Sequence, residues 1–461
     1  MKSLIWFRDD LRTADHLALE AAMELAPSDT HAVFLLSPST WQDHGWGPPR
    51  VSYVLKSLHS LSRELCACGI PLHLLSADRY EDAPEQITQL ATKLGIQEVH
   101  AGIEYGFNEQ LRDQQVTEEL AGHGITLRLH HTQTILAVDE IQTGSGTPYK
   151  VFTPFRKAWE QRWAQLPERT KSIKRLSKTT SRQEIPPTPI PNSVAGFDSW
   201  NSIDLWPAGT SEGEQRLEQF LDERILNYST ERDRPDHEGT STLSPWLATG
   251  SLSPGMCLDA LIKRFGESLE DWPDGARTWQ SEIVWREFYR HVMGSFSPIS
   301  KSLPMQQWTK SIPWRDAPDD LEAWQRGQTG IEIVDAAMKQ LNQTGWMHNR
   351  TRMIVAMFLT KNLLIDWRHG EHYFSQHLVD YDFASNNGGW QWAASTGTDA
   401  APYFRIFNPD TQAQRFDPDG GYRRRWLDGK DLLTNAPIVD LKSSRKHAID
   451  VFKKCRESQE A

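Results

Sequence analysis

Across the first 130 residues, short apolar runs alternate with longer amphipathic stretches: LIWF, HLALEAAMELA, AVFLL, VSYVLKSLHSLSREL, PLHLL, EDAPEQITQLATKL, EVHAG, NEQLRDQQVTEELAGHG and TLRLH. The runs read as five strands and the stretches between them as four helices. Strands apolar on both faces and separated by helices lie parallel in one sheet, with helices covering either side. The expected fold here is α/β, a doubly wound parallel five-stranded sheet. Ligands of such sheets sit at the carboxyl ends of the strands. No GxGxxG follows the first run, so the fingerprint of a nicotinamide-binding domain is absent from this place.

From about 131 to 205 the periodicity fades, and RTKSIKRLSKTTSRQ followed by EIPPTPIPNS joins a basic polar run to a proline cluster. This predicts a linker over 131–205, between a domain at 1–130 and a second at 206–461. The second domain is helical almost throughout, in segments such as EGEQRLEQFLDERILNY, WQSEIVWREFYRHVM and HNRTRMIVAMFLTKNLL, so the fold class is α/β plus all-α. With 461 residues, 38% of them hydrophobic, both parts have material for a core. The four cysteines form no CxxC pair and have no histidines at zinc-finger spacing. A reducing cytoplasm is expected, with no metal, no export signal and no membrane anchor. The net charge of -11 is uneven: residues 1–150 carry 11 basic and 20 acidic residues, the remaining 311 carry 39 and 41. A basic surface for nucleic acid is therefore compatible with the C-terminal part, with Arg405 and Arg423, Arg424 and Arg425 as candidates.

Four elements of that part carry candidate chemistry. In WQSEIVWREFYRHVM, Trp279, Glu282 and Arg286 fall at i, i+3 and i+7, with Trp285 alongside; in isolation a Glu282–Arg286 pair at the edge of a core is the plainer expectation. In WMHNRTRM, Trp346, Asn349 and Met353 repeat that spacing, with Arg352 adjacent. Two such faces suit a pocket for a flat, hydrogen-bonding ring system. EGTSTLSPWLATGSLSP sets Thr240, Ser241, Thr242 and Ser244 before a helical stretch, either a phosphate site or an ordinary N-cap. In LVDYDFASNNGGWQWAASTG, Asp380, Asp382 and Asn386 precede Trp390 and Trp392, which two residues apart on a helix face different ways. Together these suggest a bound dinucleotide with its flat end buried among helices.

GWMHNRTRM, DFASNNGGWQWAASTGTDAAPYFRIFNP and WREFYRH closely resemble the photolyase and cryptochrome family, and WFRDDLR and YKVFTPF extend the likeness over nearly the whole chain. Within it the chain is most similar to folate-type bacterial cyclobutane pyrimidine dimer photolyases. The resemblance implies FAD folded in the helical domain. It places Tyr228, Thr240, Ser241, Thr242, Leu243 and Ser244 around phosphates and ribityl chain, and Trp279, Glu282, Arg286, Asn349, Arg352, Asp380, Asp382 and Asn386 around adenine and isoalloxazine. An Arg352–Asp380 pair would lie over the flavin, and Asn386 would face its N5. The implied reaction is light-driven: excited reduced flavin lends an electron to a flipped-out dimer, whose ring opens before the electron returns. Glu282 and Asn349 would contact the dimer, with Met353, Trp285 and Trp392 as apolar walls. Trp390, Trp367 and Trp314 would relay electrons, and Arg232, Arg350 and Arg405 would grip DNA phosphates. His44, Asn108, Glu109 and Lys301 would hold a methenyltetrahydrofolate antenna, a deazaflavin being the alternative.

The rivals are a cryptochrome-type light sensor, a (6-4) photolyase and a dark flavoprotein oxidoreductase. A sensor predicts a signalling tail, whereas 35 residues follow Trp426 and the stretch after YRRRW reads as shortened relative to the family. The (6-4) pattern has histidines where this chain has Asn349 and Met353, and an oxidoreductase needs a nicotinamide site. The expectation is a monomeric, cytoplasmic carbon–carbon lyase acting on damaged DNA.

Overall fold

The structure is a computed structural model that describes residues 1–166, 173–176, 186–427 and 436–460. Most of the basic run expected in the linker, and the stretch just after YRRRW, lie outside the described residues.

The N-terminal sheet has five parallel strands, β1 (Ser3–Phe7), β2 (Thr30–Leu36), β3 (Leu72–Ser76), β4 (Glu98–Gly102) and β5 (Thr126–His130), in the order β3-β2-β1-β4-β5. β1 pairs with both neighbours, Ile5 opposite Ala32 and Leu4 opposite Val99. Alternate residues feed two separate apolar layers, as the pleat requires. Ile5, Phe7, Ala32 and Phe34 pack with Leu19, Val54 and Leu58 on one face. Leu4, Trp6, Val33 and Val99 pack with Ile87, Val116 and Leu120 on the other. The four expected helices appear at Leu17–Leu25, Pro48–Ala67, Ala83–Leu94 and Phe107–Gly122, joined by a six-residue helix, Pro38–Asp43, too short to leave a periodic trace. Strand order reverses between β1 and β4, so their carboxyl ends open a crevice.

The 131–205 segment packs onto the helical body. It contains the helix Phe152–Ala164, whose Phe152, Phe155, Trp159 and Trp163 are buried in the helical body. Glu287, wholly buried, accepts hydrogen bonds from the backbone N–H groups of Ile135 and Leu136, both at 2.9 Å, and from the Trp159 indole at 2.7 Å. The segment is thus fastened to the long helix Asp274–Ser295.

Two cores build the helical body. One surrounds Asp274–Ser295; the other gathers Glu332–Thr344, Asn349–Met357, Trp367–His377 and Phe383–Ala394. The terminal helix Leu441–Glu460 buries Phe452 in a separate small cluster with Ile312 and Leu364. Among the described residues, no helix is long and apolar enough to cross a membrane.

Candidate active site

Asp274–Ser295 is buried along most of its length and presents Trp279, Glu282, Trp285 and Arg286 in successive turns. Trp279 packs against Phe220, ring centroids 5.1 Å apart. The plain Glu282–Arg286 pair does not form. Glu282 instead accepts a 2.7 Å hydrogen bond from Arg232 Nη1, while burial pushes its carboxyl above the usual range. Arg286 spends both terminal nitrogens on backbone carbonyls, those of Gln133 (2.8 Å) and Leu247 (3.0 Å), and desolvation draws it down to about 9. It thereby ties the end of the sheet region to the hydroxyl segment. Trp285 stacks on Phe152 at 3.6 Å, so its plane is set by the helix at 152–164.

The hydroxyl segment does not serve the following helix. Ser244–Thr249 is only six residues long, and its N-cap, Leu243, has no side chain that could cap it. Thr242 adopts φ +51°, a left-handed conformation unusual for a β-branched residue, which held strain often marks at ligand sites. Arg216 donates to Thr242 Oγ1 and to the Ser241 carbonyl (3.3 Å), and the Trp346 indole donates to Ser244 Oγ at 3.2 Å. Trp346 precedes the helix Asn349–Met357 rather than sharing its face, because His348 caps that helix. Tyr228 is buried nearby against Phe220.

The NNGGWQW motif is the helix Phe383–Ala394. Asp382 caps it, accepting from Ser385 N–H at 2.9 Å, and pairs with Arg290, which holds the carboxyl well below its usual range. Asp380 pairs with Arg352 at 2.7 Å, as expected. Its second oxygen is buried and has no hydrogen-bond partner among the described residues. A buried acceptor left empty costs about 1–3 kcal/mol, so this atom calls for a donor from a ligand. Asn386 is buried, its amide donating to the Glu371 carbonyl at 3.0 Å. Glu371 also accepts from Asn387 at 2.7 Å, and burial pushes its carboxyl up to about 7. An unpaired carboxylate oxygen, a run of hydroxyls beside Arg216 and flanking indoles fit a dinucleotide with a polar ring system.

Trp390 and Trp392 diverge, as their spacing requires: Trp390 is buried, whereas Trp392 is half-buried and meets Phe407. Trp390 and Trp367 share the second core, with half-buried Trp314 at its margin. Asn349 is exposed at the start of its helix, and Met353 is half-buried. Arg350 pairs with Asp233 at 2.7 Å and lies over Phe416, and Arg232 is held by Glu282, so two of the three arginines expected on DNA have carboxylate partners here. Arg405 is exposed beside exposed Phe404.

A cavity of about 450 Å³ occupies the crevice at the ends of β1 and β4, and His44, Asn108, Glu109 and Lys301 all line it. His44 lies 2.9 Å from Asn108 Nδ2 and 3.4 Å from Glu109 Oε1, and Lys301 sits over the Phe107 ring. Burial pushes Glu104, at the end of β4, up to about 7. The far wall brings Arg290, Glu371 and Asp382 from the helical body, so this cavity lies between the sheet and the helices. Sequence reasoning missed Arg216, Arg290 and Glu371. Arg290 was within reach, one turn beyond Arg286 on the same helix; the others are joined to the site only by packing.

Residues 279–435 match the FAD binding domain of DNA photolyase, and residues 3–173 match DNA photolyase. The chain is 41% identical over 425 residues to the deoxyribodipyrimidine photo-lyase of Salmonella typhimurium, covering 92% of this chain and 88% of that one. A bacterial class III photolyase from Agrobacterium tumefaciens superposes with a TM-score of 0.85 at 32% identity, over 99% of this chain and 98% of the other. A Synechocystis cryptochrome superposes with a TM-score of 0.81 at 26% identity, over 98% and 99%.

Proposed function

This chain belongs to the DNA photolyase family, and from that premise we propose that its C-terminal helices bind FAD and that it repairs cyclobutane pyrimidine dimers in DNA under light. The likeness to deoxyribodipyrimidine photo-lyases over nine-tenths of the chain carries this reading.

FAD bound in its reduced form would supply, on illumination, the electron that opens the cyclobutane ring. The protein's residues hold, orient and dry the partners. Asp380, braced by Arg352, would hold the ring system through its unpaired oxygen, and Asn386 would offer an amide, which unlike a carboxylate does not oppose negative charge. Thr240, Ser241, Thr242 and Ser244, with Tyr228, Leu243 and the Arg216 charge beside them, receive the phosphates and ribityl chain. Trp279 and Arg286 complete the enclosure.

A dimer inside a duplex cannot reach a buried ring, and photolyases are among the enzymes that flip the target out. Trp285, Trp392 and Met353 form apolar walls for it. Glu282 and exposed Asn349 meet its polar edge, where charge develops on the pyrimidine carbonyls; burial raises the Glu282 carboxyl above its usual range. Arg232, Arg350 and Arg405 engage backbone phosphates, the first two by exchanging carboxylate partners for phosphates. Trp390, Trp367 and Trp314 carry electrons inward. His44, Asn108, Glu109 and Lys301 take an antenna of the methenyltetrahydrofolate type. We place the domains at 1–130 and 206–461 and the protein, as a monomer, in the cytoplasm.

Illuminating a dimer-containing oligonucleotide with the reduced protein, against a dark control, tests the assignment. Light-dependent loss of dimers is expected; lesions that persist under light refute it.

A further inference from the structure

The relay assigned above leaves another buried indole beside Trp390 without a role. Trp324, on the helix Pro318–Arg326, is fully buried. Its ring centroid is 6.0 Å from that of Trp390, at 75°. Phe374 fills the angle between them, 5.0 Å from Trp390 and 6.3 Å from Trp324. On its other side Trp324 meets Tyr373 at 5.6 Å. Tyr373 is half-buried and stacks on His377 at 3.9 Å and 21°. Its hydroxyl lies 2.8 Å from Asn342 Oδ1 and 3.0 Å from the Gln325 carbonyl, and Asn342 is exposed. Aromatic contact therefore runs without a break from Trp390 to the protein surface.

We propose that Trp324 and Tyr373 form a second branch of the electron relay, leaving the first at Trp390 and ending on a tyrosine. The proposal rests on the reading that a flavin binds beside Trp390. If the bound flavin is in its oxidised form and takes one electron from Trp390 on illumination, an indole radical cation is left there. One electron passes from Trp324 to Trp390 and one from Tyr373 to Trp324, so both indoles return to closed shells and Tyr373 is the group oxidised. The phenol loses its proton with that electron. Burial holds the Tyr373 hydroxyl up to about 12, so the proton is in place in the resting protein and leaves only on oxidation. Asn342 Oδ1 accepts the hydrogen bond of that hydroxyl at the exposed end of the branch, where water takes the proton. The neutral tyrosyl radical is then quenched by a hydrogen atom from a small thiol in solution, giving tyrosine and a thiyl radical. Proton loss at the surface is what makes this terminus a trap, because the electron cannot return until a proton does.

The test illuminates flavin-loaded protein and identifies the radicals by transient absorption and electron paramagnetic resonance, which distinguish neutral tyrosyl from indole species. In Trp314→Phe, where the first branch lacks its outer member, a tyrosyl radical is expected, forming more slowly in deuterium oxide. Adding Tyr373→Phe, which preserves the ring and its stacking, should abolish that signal and leave only short-lived indole radicals. The branch is refuted if Trp314→Phe yields no tyrosyl radical, or if the signal survives Tyr373→Phe. A flavin-loaded, unsubstituted protein that forms no radical at all would overturn the reading of the site itself, and the branch with it.

Discussion

Glu282 shows how far residue-level reasoning reaches. Its place on an aromatic helix face is local and legible, but its partner is not: Arg232, fifty positions away, displaces the neighbour at i+4. Glu282→Ala should lower repair yield tenfold or more, about 1.4 kcal/mol of lost stabilisation, while DNA affinity changes little because Arg232 is then released toward phosphate. Repair quantum yield and DNA Kd measured on the same preparation check this; equal losses would remove Glu282 from the dimer site. Asp380→Asn should weaken FAD binding by about 10- to 100-fold, since charge-assisted hydrogen bonds contribute about 1.5–3 kcal/mol. Fluorescence titration of apoprotein with FAD reads it directly, and unchanged affinity would mean that the vacant oxygen does not face the cofactor.

At the scale of elements, the sheet was legible because a period of two and helices of ten or more residues leave strong local traces. The helix Phe152–Ala164 was not, although its aromatic spacing is helical; flanking polar sequence and Pro154 hid it. Where helices touch, the contact can be tight. A Cβ on Gly370 would fall 2.1 Å from Trp390 Cη2. Gly370→Ala should therefore cost about 1–3 kcal/mol and displace the Trp390 indole, seen as a lower Tm together with altered near-ultraviolet dichroism. In the sheet, His100 Nδ1 lies 3.1 Å from His130 Nε2. Burial lowers the His100 imidazole from 6.5 to about 4, so the folded state favours the neutral ring. Its stabilisation is complete above pH 6.5 and is lost as pH falls toward 4, where the folded protein also takes up the proton. Denaturant titrations should show this acid limb flattened in His100→Gln; an unaltered limb would assign the pH dependence elsewhere.

For the molecule as a whole, charge is the sharpest test of the DNA assignment, because the overall -11 opposes a polyanion and only local arginines can bind it. If Arg232, Arg350 and Arg405 each neutralise one phosphate, raising salt from about 50 to about 200 mM should weaken binding roughly 40-fold. A flat response would take these arginines off the backbone. The cavity between sheet and helices belongs to this scale too. That ligands collect at the carboxyl ends of β1 and β4 follows from topology, but the wall of Arg290, Glu371 and Asp382 comes from elements nearly two hundred residues or more downstream.

The sequence by itself determined the parallel sheet, the helical body and the motif-bearing segments, because periodicity and turn chemistry act over a few residues. Tertiary structure alone decided that Arg232 rather than Arg286 meets Glu282, that one oxygen of Asp380 is left open, and that Trp324 and Tyr373 continue from Trp390. Partners distant in the chain meet only when packing brings their elements together, and no local pattern encodes which of several suitable side chains will arrive.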